Sequence, residues 1–132
     1  MGWRIEYYER VDTTQPAEAF EDALKRTHRK LATKLESVAL ALEAYGPQLG
    51  GGLIEPCHGY SGLWEMGTIF SGWLGRELFG FDGERAVLLH GYVKRIGEPA
   101  SERDLKQAFA YWQDYQRTRK VSPEVPEEEA QQ

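Results

Sequence analysis

Glycine punctuates the middle of this chain and limits what can form there. Residues 50–97 contain twelve glycines. Short apolar segments lie between them, at residues 63–70, 74–81 and 86–93. Glycine is disfavoured inside helices, whereas short apolar runs bounded by glycine are typical of strands. Asp82-Gly83 is a strong signal for a hairpin turn. The block therefore predicts a small antiparallel sheet whose central strand, apolar on both faces, is the last of the three runs.

The sequence on either side of the glycine block has helical periodicity. In residues 17–45 the apolar residues form one stripe, which fits either one long helix or two helices with a break near residues 27–29. After the block, Ser101-Glu102-Arg103-Asp104 is a capping-box pattern that begins a second stripe. An aromatic-rich strand is predicted at residues 3–9.

Because helices and strands are segregated along the chain, the predicted fold class is α+β. An N-terminal strand and a helical hairpin pack on the sheet, and a C-terminal helix follows. The long helical region is expected to cover one face of the sheet. The other face is expected to stay partly open to a ligand.

Length and charge restrict the class of protein further. The 132 residues suit a single domain, expected over residues 1–120, followed by an acidic tail at 121–132 that is expected to be disordered. The net charge is −5, and without the four acids of the tail 17 acidic residues face 16 basic ones. This near-neutral balance excludes a globally basic nucleic-acid binder but allows a local basic patch. No apolar run has the length of a membrane span and no signal peptide is evident, so a cytoplasmic protein is expected.

Candidate chemistry clusters on the predicted sheet. In a strand register Lys94 shares a face with His90 and Tyr92, and Arg95 follows directly. Bases beside an aromatic ring at the open end of a sheet suit RNA, although scattered surface charge is an alternative. His90 is either a core group or a proton carrier.

The chain carries no recognisable metal signature. Cys57, His58 and His90 lack the ligand spacing of a zinc site, so no metal is predicted. With one cysteine, no internal disulfide can form.

The order of several motifs resembles that of the RelE/HigB-like toxins of type II toxin-antitoxin systems, in particular the phage-derived branch. The most specific stretch is Leu-Leu-His-Gly-Tyr-Val-Lys-Arg at residues 88–95, which precedes Pro99 and the final helix. Gly-Leu-Trp-Glu-Met at residues 62–66 and Arg76 match earlier strands of that pattern. The resemblance covers about residues 3–115 and implies a RelE-like fold.

The resemblance implies a ribosome-dependent endoribonuclease that cuts mRNA without a metal or other cofactor. A helix-turn-helix antitoxin would be its cognate partner. A ribose 2′-hydroxyl would attack the adjacent phosphate, which requires a base, an acid and positive charge on the phosphorane. Arg76 and Lys94 are the expected phosphate contacts, and Glu65 or His90 the expected proton carrier.

Three further residues are expected to contact RNA. Arg95 would add a basic contact, and Tyr92 would stack on a base. His58 stands where the family pattern has a lysine after Pro56, and Gly67 stands where it has an arginine. These two departures favour an alternative, a catalytically impaired phage-derived relative that acts as a protein-interaction module.

Overall fold

The structure, a computed structural model, describes residues 2–120 as an α+β fold, as predicted. In chain order its elements are β1 (Arg4–Tyr7), α1 (Pro16–Thr27), α2 (Arg29–Tyr45), a short 3₁₀ helix (Gly46–Gln48), β2 (Ile54–Pro56), β3 (Trp64–Phe70), β4 (Trp73–Asp82), β5 (Arg85–Arg95) and α3 (Glu102–Lys120). The acidic tail predicted at residues 121–132 lies outside the described residues.

The five strands form one sheet in the order β1-β5-β4-β3-β2. Strands β2 to β5 are antiparallel to their neighbours, whereas β1 is parallel to β5. The sheet predicted as antiparallel is therefore mixed. No tight turn links β1 to β5, so hairpin geometry does not set its direction. Strand β2 was not predicted, because its three residues include Pro56 and follow a run of glycines, and such a segment forms only an edge strand.

The helical region breaks at His28, so the two-helix alternative is correct. His28 has φ −142° and ψ 68°, outside the helical range, while its N–H still donates to the Leu24 carbonyl. Pro16 occupies the first turn of α1, where its missing N–H costs nothing. None of the helices in the described part of the chain is long and apolar enough to cross a membrane.

The two faces of the sheet carry separate cores. The helical hairpin α1–α2 packs on one face of the sheet, which we call the hairpin face, and buries Leu24, Leu35, Phe79 and Leu88. Helix α3 packs on the other face, which we call the α3 face, where Trp112 belongs to the hydrophobic cluster. The face expected to be open is therefore covered over β5 and the end of β4. Its remaining part, over β2, β3 and the start of β4, is the part on which a ligand could lie.

Two glycines within the sheet admit aromatic rings from the helices. A Cβ on Gly91 would lie 2.2 Å from the Phe20 ring of α1, on the hairpin face. A Cβ on Gly80 would lie 2.7 Å from the Trp112 ring of α3, on the α3 face. Real Cβ atoms do not approach so closely, so these glycines are required for close packing rather than for turns.

A bulge in β5 sets which residues reach the α3 face. Leu78 pairs with His90 and Phe79 pairs with Leu88, so Leu89 has no partner on β4. Such an extra residue re-aims the side chains that follow it. Beyond the bulge, alternate residues of β5 place His90, Tyr92 and Lys94 on the face covered by α3.

Candidate functional site

Three neighbouring rows of side chains cross the α3 face from β3 through β4 to β5. The register places them as Glu65–Leu78–His90, Gly67–Arg76–Tyr92 and Ile69–Leu74–Lys94. Successive rows are about 7 Å apart, since each is two residues further along the strands. The sheet therefore brings Glu65, Arg76, His90 and Lys94 together on one face, as the strand pattern predicted for the residues of β5.

Arg76 and Glu65 form the ionic centre of these rows. Arg76 Nη1 donates to Glu65 Oε1 at 2.9 Å, and the two side chains are 21% and 13% exposed. Burial raises the pKa of Glu65, the Arg76 guanidinium opposes this rise, and Glu55 on β2 adds to it. A carboxylate with a raised pKa is suited to accept a proton near neutral pH.

Cys57 lies beside this pair. Its Sγ is 3.9 Å from Glu65 Oε1, and burial together with the Glu65 charge raises the pKa of the thiol to about 12. The cysteine is therefore a protonated neighbour rather than a nucleophile.

Tyr92 lies directly across from Arg76 but is 7% exposed, in the cluster beneath α3. Its hydroxyl has no hydrogen-bond partner among the described residues. Burial raises the pKa of Tyr92, while Arg76 and the Ser101 backbone are near enough to oppose the rise. The stacking role expected for Tyr92 requires ring surface that this conformation does not expose.

His90 is held by an acidic residue of α3. Its Nε2 lies 2.6 Å from Asp104 Oδ1, and Ser101 Oγ donates to Asp104 Oδ2 at 2.5 Å. One of the two bonds of the predicted capping box is present here, since the Asp104 N–H donates to Ser101 Oγ at 3.3 Å. Burial alone would raise the pKa of Asp104, but its bonds with Ser101 and His90 lower it. A carboxylate that orients an imidazole is a recurring device for proton transfer.

Of the remaining predicted bases, Lys94 shares the face of this centre, whereas Arg95 and His58 do not. Lys94 Nζ donates to the Glu98 carbonyl at 2.6 Å. Arg95 leaves the sheet on the hairpin side, where its guanidinium lies 4.3 Å from the centroid of the Trp73 ring. His58 is exposed in the loop after β2. The structure thus groups Arg76, Glu65, His90 and Lys94 and separates Arg95 and His58 from them.

A basic and aromatic surface at the turn between β3 and β4 was missed. Lys30 lies over the Phe70 ring, and His28 and Arg95 both contact the Trp73 ring. A groove of about 380 Å³ runs between these groups. Phe70 is 40% exposed. The signal was present in His28-Arg29-Lys30 at the helix break, but only the fold brings it to the end of the sheet.

In the part of the chain that the structure describes, no group of three or more histidine, cysteine or acidic side chains could hold a metal ion. No protein-family model matches the chain, and no curated protein has a significantly similar sequence. The arrangement of side chains is therefore what carries the functional argument.

Proposed function

We propose that this protein is a RelE/HigB-like toxin of a type II toxin-antitoxin system, an endoribonuclease that cuts mRNA on the ribosome in the cytoplasm. The observation that carries the proposal is the convergence of Glu65, Arg76, His90 and Lys94 on one face of the sheet. These residue types are the base, acid and cations that phosphodiester cleavage requires. The motif order of residues 62–95 supports the same family, and so does the order of helices and strands.

In the proposed reaction Glu65 accepts the proton of a ribose 2′-hydroxyl, whose oxygen then bonds to the adjacent phosphorus. The bond from phosphorus to the 5′-oxygen breaks, His90 donates a proton to that oxygen, and a 2′,3′-cyclic phosphate remains. Arg76 and Lys94 stabilise the phosphorane charge. A guanidinium has five N–H donors, so Arg76 can bind phosphate while one of them stays on Glu65.

The basic and aromatic surface around Trp73 and Phe70 extends the proposed RNA contact. Lys30 and Arg95 supply charge for phosphates, and the partly exposed Phe70 ring offers a stacking surface. This assigns base stacking to the end of the sheet and leaves Tyr92, which lies across from Arg76, as a support for that arginine.

The decisive experiment is expression of the chain in bacteria and in a translating extract. Growth arrest and mRNA fragments with 2′,3′-cyclic ends are expected. The double variant Arg76→Ala/Lys94→Ala should relieve both effects. The matched control Lys34→Ala/Lys106→Ala removes the same charge from two exposed helical positions and should remain toxic. Healthy growth at high expression of the native chain would contradict the proposal.

A second candidate is a non-catalytic module that binds a protein partner. The observation that favours it is the apolar exposure near the sheet end, where Ile69, Phe70 and Ile96 are 50%, 40% and 54% exposed. The absence of a strand arginine at Gly67 points the same way. A stable complex without RNA cleavage would select this candidate, and co-purification with a small helix-turn-helix protein encoded nearby would identify the antitoxin expected for the first.

A further inference from the structure

A cavity of about 170 Å³ lies between the helical hairpin and the sheet, on the face opposite the proposed nuclease site. Its walls are mostly aliphatic, from β1, α1, α2 and β5: Ile5, Leu24, Ala32, Leu35, Ala39 and Leu88. Lys25 and Glu36 line it as well, and both are exposed, so the cavity opens to solvent between α1 and α2.

Three oxygen-bearing side chains also line this aliphatic cavity. Glu77 of β4 is 1% exposed, and its Oε2 atom has no hydrogen-bond partner among the described residues. Glu21 of α1 accepts a hydrogen bond of 2.5 Å from the hydroxyl of Tyr7. A buried carboxyl oxygen without a partner is costly, and such groups in folded proteins usually meet a ligand, an ion or water.

Two acidic side chains, Glu21 and Glu77, lie close together at this end of the cavity. Burial raises the pKa of Glu77 well above 4.5, and the hydrogen bond and charge of Glu21 raise it further. Burial, the hydrogen bond to Glu21 and the nearby acids also raise the pKa of Tyr7. A neighbouring carboxylate disfavours the charged form of a buried carboxyl group, whereas a cation at the same place favours it. Within residues 2–120 no basic side chain pairs with Glu21 or Glu77.

We propose that this cavity binds a small organic cation, a primary alkylammonium whose head lies against Glu77, Glu21 and Tyr7. A primary ammonium has three N–H donors and no acceptor. The three acceptors available are Glu77 Oε2, the Glu21 carboxylate and the Tyr7 oxygen, whose own proton is directed to Glu21. The aliphatic walls suit the alkyl chain.

Volume sets the size of the ligand. A cavity of about 150 Å³ lined by apolar side chains holds a molecule as large as benzene, so this one suits a chain of about four to six carbon atoms. The site is independent of the proposed nuclease activity, because Glu77 and its neighbour Arg76 leave β4 on opposite faces.

The test uses the full chain and n-pentylammonium, followed by calorimetry and by chemical-shift changes of the cavity methyl groups. Saturable binding with a Kd of about 1 mM or tighter is expected for six heavy atoms. 1-Pentanol has the same chain without the charge and should bind at least about tenfold more weakly. Failure of the amine to bind, or equal binding of the alcohol, would overturn the proposal.

Two variants separate the carboxyl from the cavity. Glu77→Gln keeps the shape of the side chain and removes the charge, and should weaken amine binding at least about tenfold. Ala39→Leu fills the cavity without touching either acid and should abolish binding, whereas Ala44→Leu, the same change at an exposed position of α2, should not. An affinity for n-pentylammonium equal to that of the native protein, in either Glu77→Gln or Ala39→Leu, would refute the site. If Glu77→Gln does not fold, Ala39→Leu is sufficient for the test.

Discussion

Arg76 and Glu77 are adjacent on β4, but their charged groups lie in opposite environments. Arg76 leaves the sheet on the α3 face, where Glu65 supplies a carboxylate at 2.9 Å. Glu77 leaves on the hairpin face, where its polar neighbour is another acid, Glu21. The arginine is 21% exposed at its side chain, whereas Glu77 is 1% exposed.

This difference shows that the burial of a charged side chain under a helix determines whether the residue forms an ion pair or has a shifted pKa. On the partly uncovered α3 face, an ion pair keeps both partners charged and in contact with solvent. On the hairpin face, no basic side chain of residues 2–120 pairs with the acid, and burial together with the charge of Glu21 raises its pKa.

The largest effect is expected when the ion pair is broken. Arg76→Ala leaves Glu65, 13% exposed, with a buried charge and no basic partner. We expect the free energy of unfolding to fall by about 2–3 kcal/mol, less than for a fully buried pair because both side chains retain some solvent contact. Urea denaturation at neutral pH measures this loss.

The double variant Arg76→Ala/Glu65→Gln is the control for this loss. It removes the orphaned charge and should recover most of the stability. A native-like unfolding midpoint for Arg76→Ala would show that the pair contributes nothing to stability.

A smaller effect of opposite sign is expected from Glu77→Gln. The pKa of Glu77 is raised in the folded state, so unfolding releases its proton above about pH 4.5 and the native protein loses stability as pH rises from there. Because glutamine does not titrate, the Glu77→Gln variant does not lose this stability as the pH rises. At pH 4 the two proteins should have similar stability, and at pH 7 the variant should be the more stable.

Urea denaturation of both proteins between pH 4 and pH 7.5 checks this slope, since the titration of groups common to both cancels in the difference. The hydrogen bond and charge of Glu21 raise the pKa of Glu77, so Glu21→Gln should reduce the same slope. A difference that stays constant with pH would show that Glu77 ionises normally.

Much of the fold could be predicted from the local sequence, because hydrophobic periodicity and the positions of glycine residues depend only on neighbouring residues. The glycine block predicted the three long strands, and alternation placed His90, Tyr92 and Lys94 on one face. Strand β2 was missed because three residues at a sheet edge have no period of their own. The second core under α3 was missed because which face a helix covers depends on the loop before it.

Site geometry was less accessible from the sequence. Arg76, its partner Glu65 and His90 were named as candidates, but Asp104, the acidic partner of His90, was not. Asp104 meets His90 across 14 residues, through the bulge at Leu89 and the capped start of α3. Glu21 and Glu77 lie on separate elements, and only the packing of α1 on the sheet brings them together.

The smallest effect is expected at Tyr92, the counterpart of Glu77 on the α3 face. Both carry a buried oxygen without a partner in the described chain, but Tyr92 is close to the Arg76 guanidinium whereas Glu77 borders a cavity. Tyr92→Phe removes a hydroxyl with no hydrogen-bond partner within residues 2–120, so stability should change by no more than about 0.5 kcal/mol.

Tyr8→Phe is the matched control for Tyr92→Phe. Tyr8 is 5% exposed in the same cluster, and its hydroxyl donates to Asp114 at 2.5 Å. Loss of a hydrogen bond to a charged acceptor should cost about 1.5 kcal/mol or more, so thermal unfolding should rank Tyr8→Phe well below Tyr92→Phe. Equal losses would mean that the Tyr92 hydroxyl bonds Arg76 in solution. The ionic centre of the α3 face would then have three members, and its contrast with the acid pair on the hairpin face would be sharper still.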